Sequence, residues 1–349
     1  MRRFAIVGAG FFGLHIAAQL ERRLGRASID IFDMDQAPLN GAATHNQCRL
    51  HLGFHYPRSG YTIYQSVMGF DRYLADYGTC VEAVPDNLYA VRCDGLVSAE
   101  QYLAVMDSFS LDYEIVSHAP RWFVQPEKID LVLRVSERCI NPRTLRQKVL
   151  AAPGVRLRMN VLVDHVDAET GVVYANGEEL GRYDFVVNAT YLHPNLGLPP
   201  ELAFPLKHEL TALVLARTSL PPQSAITVMD GPFVSVYPAY DGLHTLSSVV
   251  HTPFRTYSDA AELYRDYPQR RQLATESGVA ERIVAHVRSF LDIETQSSQI
   301  WVAAKTKLAT QKGDSRVTEV KRHGRLFSVL CGKLDAVFST SDQILLEVA

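Results

Sequence analysis

The sequence predicts an α/β protein with two interleaved parts, a parallel-sheet α/β domain and an antiparallel-sheet α+β domain. Three observations carry this expectation. A strand–glycine turn–helix–strand unit opens the chain, and short, almost wholly apolar runs of buried-strand type return at residues 183–189 and 326–331. Between them lie blocks in which apolar and polar residues alternate, punctuated by Pro and Gly, as in antiparallel sheets.

The opening unit is the most specific. Residues 4–7 read as a buried strand, GAGFFG follows at Gly8 to Gly13, residues 14–24 have helical spacing, and a second strand at 28–32 ends in Asp33. This is the Rossmann-type arrangement. Gly8 permits the tight turn, Gly10 lets the backbone approach a pyrophosphate, and Gly13 lets helix and strand pack closely. The helix N-terminus offers free N–H groups to phosphate, and Asp33 can accept from a ribose hydroxyl. An acid there would repel a 2′-phosphate, which disfavours NADP relative to NAD or FAD.

Residues 41–62, GAATHNQCRLHLGFHYPRSGYT, hold three His and two Arg just after the second strand. Oxidation at a carbon bearing OH or NH needs a base for the heteroatom proton and a cation for a carboxylate or phosphate. Histidine suits the first task near neutral pH. His51 is the first candidate base and His55 the second; Arg49, Arg58 and Tyr56 are candidate substrate contacts. The plainer alternative is that His51 or His45 only packs against a cofactor ring.

Further along, residues 141–152 read as a helix with Pro142 in its first turn, followed by strands at 155–159 and 161–166 and a hairpin turn at Asn176-Gly177. The apolar run 183–189 ends in Asn188-Ala189-Thr190. Near the far end, Asp314-Ser315-Arg316 precedes the strand 326–331, and Gly332-Lys333-Leu334 opens an apolar helix.

This order of motifs resembles the D-amino-acid-oxidase-like FAD-dependent oxidoreductases. The stretch with His45-Asn46, His51, Gly53, Tyr56, Pro57 and Ser59 is similar to the loop of L-2-hydroxyglutarate dehydrogenases and oxidases, with Gln47, Cys48 and His55 as departures. The Gly332-Lys333 junction resembles that of glycerol-3-phosphate dehydrogenases. The resemblance implies non-covalent FAD on a Rossmann-type domain built from discontinuous segments, 1–59, 136–194 and 301–349. A substrate domain would then comprise 60–135 and 195–300. It implies cofactor contacts at Gly8, Gly10, Phe11, Phe12, Gly13, Asp33 and Met34, at Thr44, His45 and Asn46, and at Ala189 and Thr190. An adenine contact is implied at Val161 or Val163, with Val163 favoured. Gly332, Lys333 and Leu334 would meet the flavin pyrimidine, where a helix N-terminus and an ammonium stabilise negative charge. Tyr191 stands where the family usually has Gly, so the chain crossing there must be shaped differently.

In the second part, 205–217, 230–242 and 243–254 read as strands, His251-Thr252 as a strand end, and 259–290 as helical with a break at Pro268. Lys207 is the expected substrate contact, and Tyr237 and Tyr240 could line the pocket. The implied activity is oxidation of a small polar metabolite, foremost the CH–OH of a 2-hydroxy acid, by hydride transfer to flavin N5. Amine or amino-acid oxidation, a redox-neutral flavin reaction and a non-catalytic FAD-binding role are the alternatives. The electron acceptor (oxygen, a quinone or a protein) stays open.

Bulk properties agree with such a protein. Among 349 residues, 47% are hydrophobic and 21% charged, and the formal net charge of −3 gives no reason to expect nucleic acid as a partner. Five scattered cysteines without a CxxC pair suit reduced thiols, no metal site and a cytoplasmic setting. The basic-then-apolar start resembles a signal peptide, but its glycines and its lack of a small-residue cleavage pattern argue against one. No apolar run reaches the ~18 residues of a membrane span.

Overall fold

The computed structural model describes residues 1–25, 27–117, 121–150, 155–309 and 316–348. Its first sheet runs, from edge to edge, Glu319–His323, Leu326–Leu330, Phe185–Asn188, Arg2–Val7, Ala27–Asp33, Val155–Met159. All neighbours are parallel except the Glu319–His323 edge, which is antiparallel. The three apolar runs legible in the sequence are its centre. Helices Phe11–Leu24 and Val337–Val348 cover one face through Leu14, Ile16, Leu20, Phe338 and Ile344. A three-stranded meander, His165–Asp167, Val172–Ala175 and Glu178–Arg182, covers the other through Val166, Val173 and Tyr183. Its hairpin turns at Asn176 and Gly177, both with positive φ (52° and 77°), as a two-residue turn of this hand requires.

The second sheet has nine strands, dominated by Leu206–Thr218 paired antiparallel with Thr295–Leu308. Helix Val279–Phe290 packs on it through Val279, Ile283 and Val287. The helical region 259–290 is indeed broken, with Pro268 in the one-turn segment Tyr267–Gln269. A small sheet of Arg49–Leu50, Arg138–Ile140 and Val81–Ala83 ties the two larger ones together.

Three expectations need correction. Residues 161–164 are not strand; only His165–Asp167 is, because Asn160 (φ 58°) turns the chain and Val161 N is drawn to Asp33 O at 2.8 Å. The helix expected at 141–152 spans Pro142–Val149, capped by the Asn141 side chain, and its expected last residues, 151 and 152, lie outside the described residues. His251-Thr252 lie in the turn between His244–Ser248 and Pro253–Tyr257, where Thr252 Oγ1 accepts from Ser248 N. Helix Gly60–Tyr77 buries Phe70, Tyr73 and Tyr77 in the core beneath the parallel sheet, and 301–308 continue a strand of the antiparallel one.

Candidate active site

A cavity of about 500 Å³ runs between the two sheets. At one end the first helix begins. Gly10 caps it without a side-chain acceptor, and its first turn holds no acid, so its leading N–H groups remain available to an anion. The three glycines differ in what they face. A Cβ on Gly8 (φ 110°) would lie 2.6 Å from Ala189 O, and one on Gly13 only 1.9 Å from Gly8 O. A Cβ on Gly10 would meet nothing within 4 Å, since it opens into the cavity. Asp33 accepts from Ala9 N (2.6 Å) and Asp35 N (2.8 Å) while its carboxylate borders the same space, where burial raises its pKa. A turn that keeps one glycine open to the cavity beside bare helix N–H groups fits a dinucleotide pyrophosphate.

Phe11, Phe12, Met34, Asn46, Val163, Ala189 and Thr190 also line the cavity, as do Gly332, Lys333 and Leu334 at its other end. Val161 lines it as well, but its N–H is committed to Asp33, which leaves Val163 as the adenine candidate. Gly332 sits where a Cβ would strike Arg316 O at 1.9 Å, and its N–H donates to Thr318 Oγ1. Lys333 donates to Thr62 O at 3.3 Å, lies 3.5 Å from Asp335, and stands 4.7 Å over the Tyr56 ring.

Five expected contacts do not line the cavity. Gly13 acts only in packing. Thr44 Oγ1 donates to Leu39 O, and His45 bonds Gly41 O through Nδ1 with its ring edge-on to Trp301. Arg58 turns to Asp230, which is itself a cavity residue. Lys207 is 45% exposed and pairs with Glu209 at 3.3 Å. Glu209, Thr211 and Leu213, on the same strand face, line the cavity, but Lys207 lies beyond its end. Of the two tyrosines, neither Tyr237 nor Tyr240 reaches the lining.

His51, His55, Tyr56 and Arg49 all line the reactive end. His51 and Arg49 converge on Glu137, a fully buried carboxylate between Ile129–Val135 and Arg138–Ile140. Glu137 accepts from Leu52 N (2.9 Å), Gly53 N (3.3 Å) and Tyr89 OH (2.6 Å). His51 Nδ1 lies 3.4 Å and Arg49 Nη1 4.0 Å from it. Burial alone would raise the Glu137 pKa, but His51 and Arg49 outweigh it and bring it down to about 2. Burial lowers the pKa of His51 against the opposing pull of Glu137, and lowers that of His55 further, with Arg49 adding to the effect. Both imidazoles are therefore neutral in the resting protein. Arg49 is already engaged, with Nη1 on Tyr89 OH, Nη2 on Ser235 Oγ and its guanidinium 4.1 Å over Tyr237.

A further cavity cation is Lys305, which the sequence reading missed. It borders the cavity opposite Glu209 in register and makes no ion pair with a carboxylate among the described residues. Burial, with Arg316 and Lys307 nearby, pushes its pKa down to about 8. Its signal was present: Lys305 and Lys307 interrupt the strand Thr295–Leu308 at alternate positions, on the face of Trp301 and Ala303. Glu137 left no such local signal. Asp314 and Ser315 lie outside the described residues.

Relatives were found at three levels. The FAD-dependent monooxygenase FPY4 of Fusarium mangiferae is 34% identical, over 97% of this chain and 89% of its own length. The FAD-dependent monooxygenase kojA of Aspergillus flavus is 26% identical, over 81% and 69% respectively. The fold matches NikD, an unusual amino acid oxidase (TM-score 0.72, 15% identity, 98% of this chain and 92% of that one). It also matches L-α-glycerophosphate oxidase of Mycoplasma pneumoniae (TM-score 0.68, 14% identity, 99% and 94%). Residues 3–332 match the DAO family, and the chain belongs to these FAD dependent oxidoreductases.

Proposed function

We propose that the protein oxidises the CH–OH group of a small 2-hydroxy acid. The observation that carries this reading is that one cavity is lined both by an imidazole kept neutral by burial, His51, and by a buried ammonium, Lys305, that makes no ion pair among the described residues. Bound FAD supplies the acceptor for the two electrons that leave the substrate carbon. Lys305 holds the substrate carboxylate by a charge-assisted contact, and His51 Nε2 takes the hydroxyl proton. Tyr56 OH, 3.5 Å from Nε2, orients that hydroxyl. Arg49, with Nη1 and Nη2 engaged by Tyr89 and Ser235, keeps the floor of the site in place and does not hold substrate.

The test is an anaerobic absorption titration of the yellow holoprotein with 2-hydroxy acids, sugar acids and amino acids. Bleaching by a hydroxy acid, lost in His51→Ala, supports the reading. Bleaching only by amines, retained in His51→Ala, would replace it with amine oxidation, because an amine can arrive deprotonated. The name of the Fusarium relative favours a second reading, oxygen insertion. In that case NAD(P)H would bleach the protein and no acid in the panel would.

A further inference from the structure

We propose that Glu137 and His51 form a carboxylate–imidazole pair in which Glu137 holds the resting proton on Nδ1 and leaves the Nε2 lone pair facing the cavity. The inference rests on the proposed oxidation for its purpose but on separate geometry for its support. Among the described residues, Nδ1 of His51 has no hydrogen-bond partner, and the nearest carboxylate oxygen is Glu137 Oε1 at 3.4 Å. The other ring nitrogen lies 3.5 Å from Tyr56 OH, on the cavity side of the ring. A neutral imidazole carries one N–H, and the acceptor-only carboxylate decides which nitrogen bears it.

Glu137 is itself immobilised. Two backbone N–H groups hold Oε1 and the Tyr89 hydroxyl holds Oε2, so the carboxylate is fixed before any ligand arrives. The same two backbone donors belong to Leu52 and Gly53, the residues immediately after His51, so the anchor sets the turn that aims the ring. Gly53, at φ 119° and with a Cβ position 2.7 Å from Ile63 Cγ2, keeps that turn tight.

During turnover the substrate hydroxyl proton moves to Nε2, the O–H bond breaking as N–H forms, while the electron pair of the C–H bond leaves with its hydrogen. The imidazolium so formed carries both ring protons and lies against the Glu137 charge. The other groups around it are Arg49 and Lys333, which oppose a positive ring, and the neutral His55 and Tyr56. Among the described residues, Glu137 is the one carboxylate paired with it. It is a positioning residue, acting through His51 and not on substrate.

The experiment needs no substrate. Nitrogen NMR of holoprotein labelled at histidine, with the His51 signals identified by their loss in His51→Gln, reports both tautomer and pKa. The expected wild-type result is a neutral ring protonated on Nδ1. In Glu137→Gln, which keeps an oxygen for Leu52 and Gly53 but removes the charge, the His51 pKa should fall by about 1–3 units. Glu137→Asp keeps the charge and should retain most of the wild-type value, which also covers the case in which the Gln variant fails to fold. A wild-type ring protonated on Nε2, or an unshifted His51 pKa in a folded Gln variant, overturns the pair. If the pair is present and His51→Gln is still reduced by a hydroxy acid at the wild-type rate, the pair stands and the proposed role of His51 falls.

Discussion

Replacing Lys305 by Met separates what the cavity costs from what it does. Methionine keeps much of the length and apolar stem of lysine and removes only the charge. Burial, Arg316 and Lys307 lower the Lys305 pKa from 10.5 to about 8, and at about 1.4 kcal/mol per unit this is about 3 kcal/mol of stability withheld from the folded state. The figure is a ceiling, because water in the cavity screens the charge. The sign follows from proton binding. Below pH 8 both states hold the proton and the full cost is present. Between pH 8 and 10.5 the unfolded chain binds more protons than the folded one, so wild-type stability rises with pH; above 10.5 the cost is gone. Urea unfolding of both proteins at one free FAD concentration should show Lys305→Met more stable at pH 7, with the advantage closing by pH 10.5. In exchange, the loss of a charge-assisted contact worth about 1.5–3 kcal/mol should raise KM for the acid by roughly 10- to 150-fold. A variant that is less stable than wild type at pH 7, or whose difference ignores pH, would refute the claim that burial and the neighbouring cations outweigh the pull of Glu209 on this ammonium.

Other consequences are checked more briefly. Lys207→Ala should leave KM and the melting temperature within error of wild type, since Lys207 lies outside the cavity and its partner Glu209 keeps Lys307 at 2.6 Å. His15, between Tyr77 OH and Ser341 Oγ, has its pKa lowered by burial to about 4, so the fold should lose stability as pH falls from 6.5 through 4. His15→Gln, which keeps hydrogen-bonding capacity without titrating there, should flatten that part of the pH–melting curve. Gly332→Ala should lower the melting temperature and FAD affinity together, because its Cβ would meet backbone, Arg316 O, that cannot swing aside.

The nucleotide end was legible because its signals are local. A strand, three glycines at fixed spacing, a helix and an acid lie within Arg2–Asp33, and each has one mechanical meaning. The reactive end was half legible. His51, His55 and Tyr56 sit in one short loop and could be named, but what makes His51 a base is Glu137, 85 positions from Leu52 and brought there by a three-stranded sheet no periodicity announces. Arg49 and Arg58 show the limit of residue-type reasoning. Both are cations near the site, yet Arg49 Nη1 and Nη2 are engaged by Tyr89 and Ser235 and Arg58 by Asp230, and only the packed structure reveals that. Lys207 shows a different limit: its strand face was right, but the strand runs past the cavity before reaching it.

The glycine fingerprint can be taken apart by alanine at two positions, because the structure assigns them opposite failures. Gly13 contributes to no ligand surface. Its Cβ would sit 1.9 Å from Gly8 O and 3.1 Å from Ile6 Cγ2, so Gly13→Ala must push the helix off the sheet, and overpacking of this kind costs about 1–3 kcal/mol. Gly10, at φ −75°, has a backbone conformation alanine adopts freely, and its Cβ would touch no protein atom. For the apoprotein Gly10→Ala should be neutral or stabilising by about 0.4–1 kcal/mol through the unfolded chain. The same methyl, however, occupies the space in which a pyrophosphate must approach the backbone, so FAD affinity should fall by about 100-fold or more, the equivalent of roughly 3 kcal/mol. Apoprotein melting and FAD titration on the two variants read the two effects independently. If Gly10→Ala binds FAD as wild type does, the dinucleotide does not lie against this turn, and the glycines of the opening unit serve packing alone.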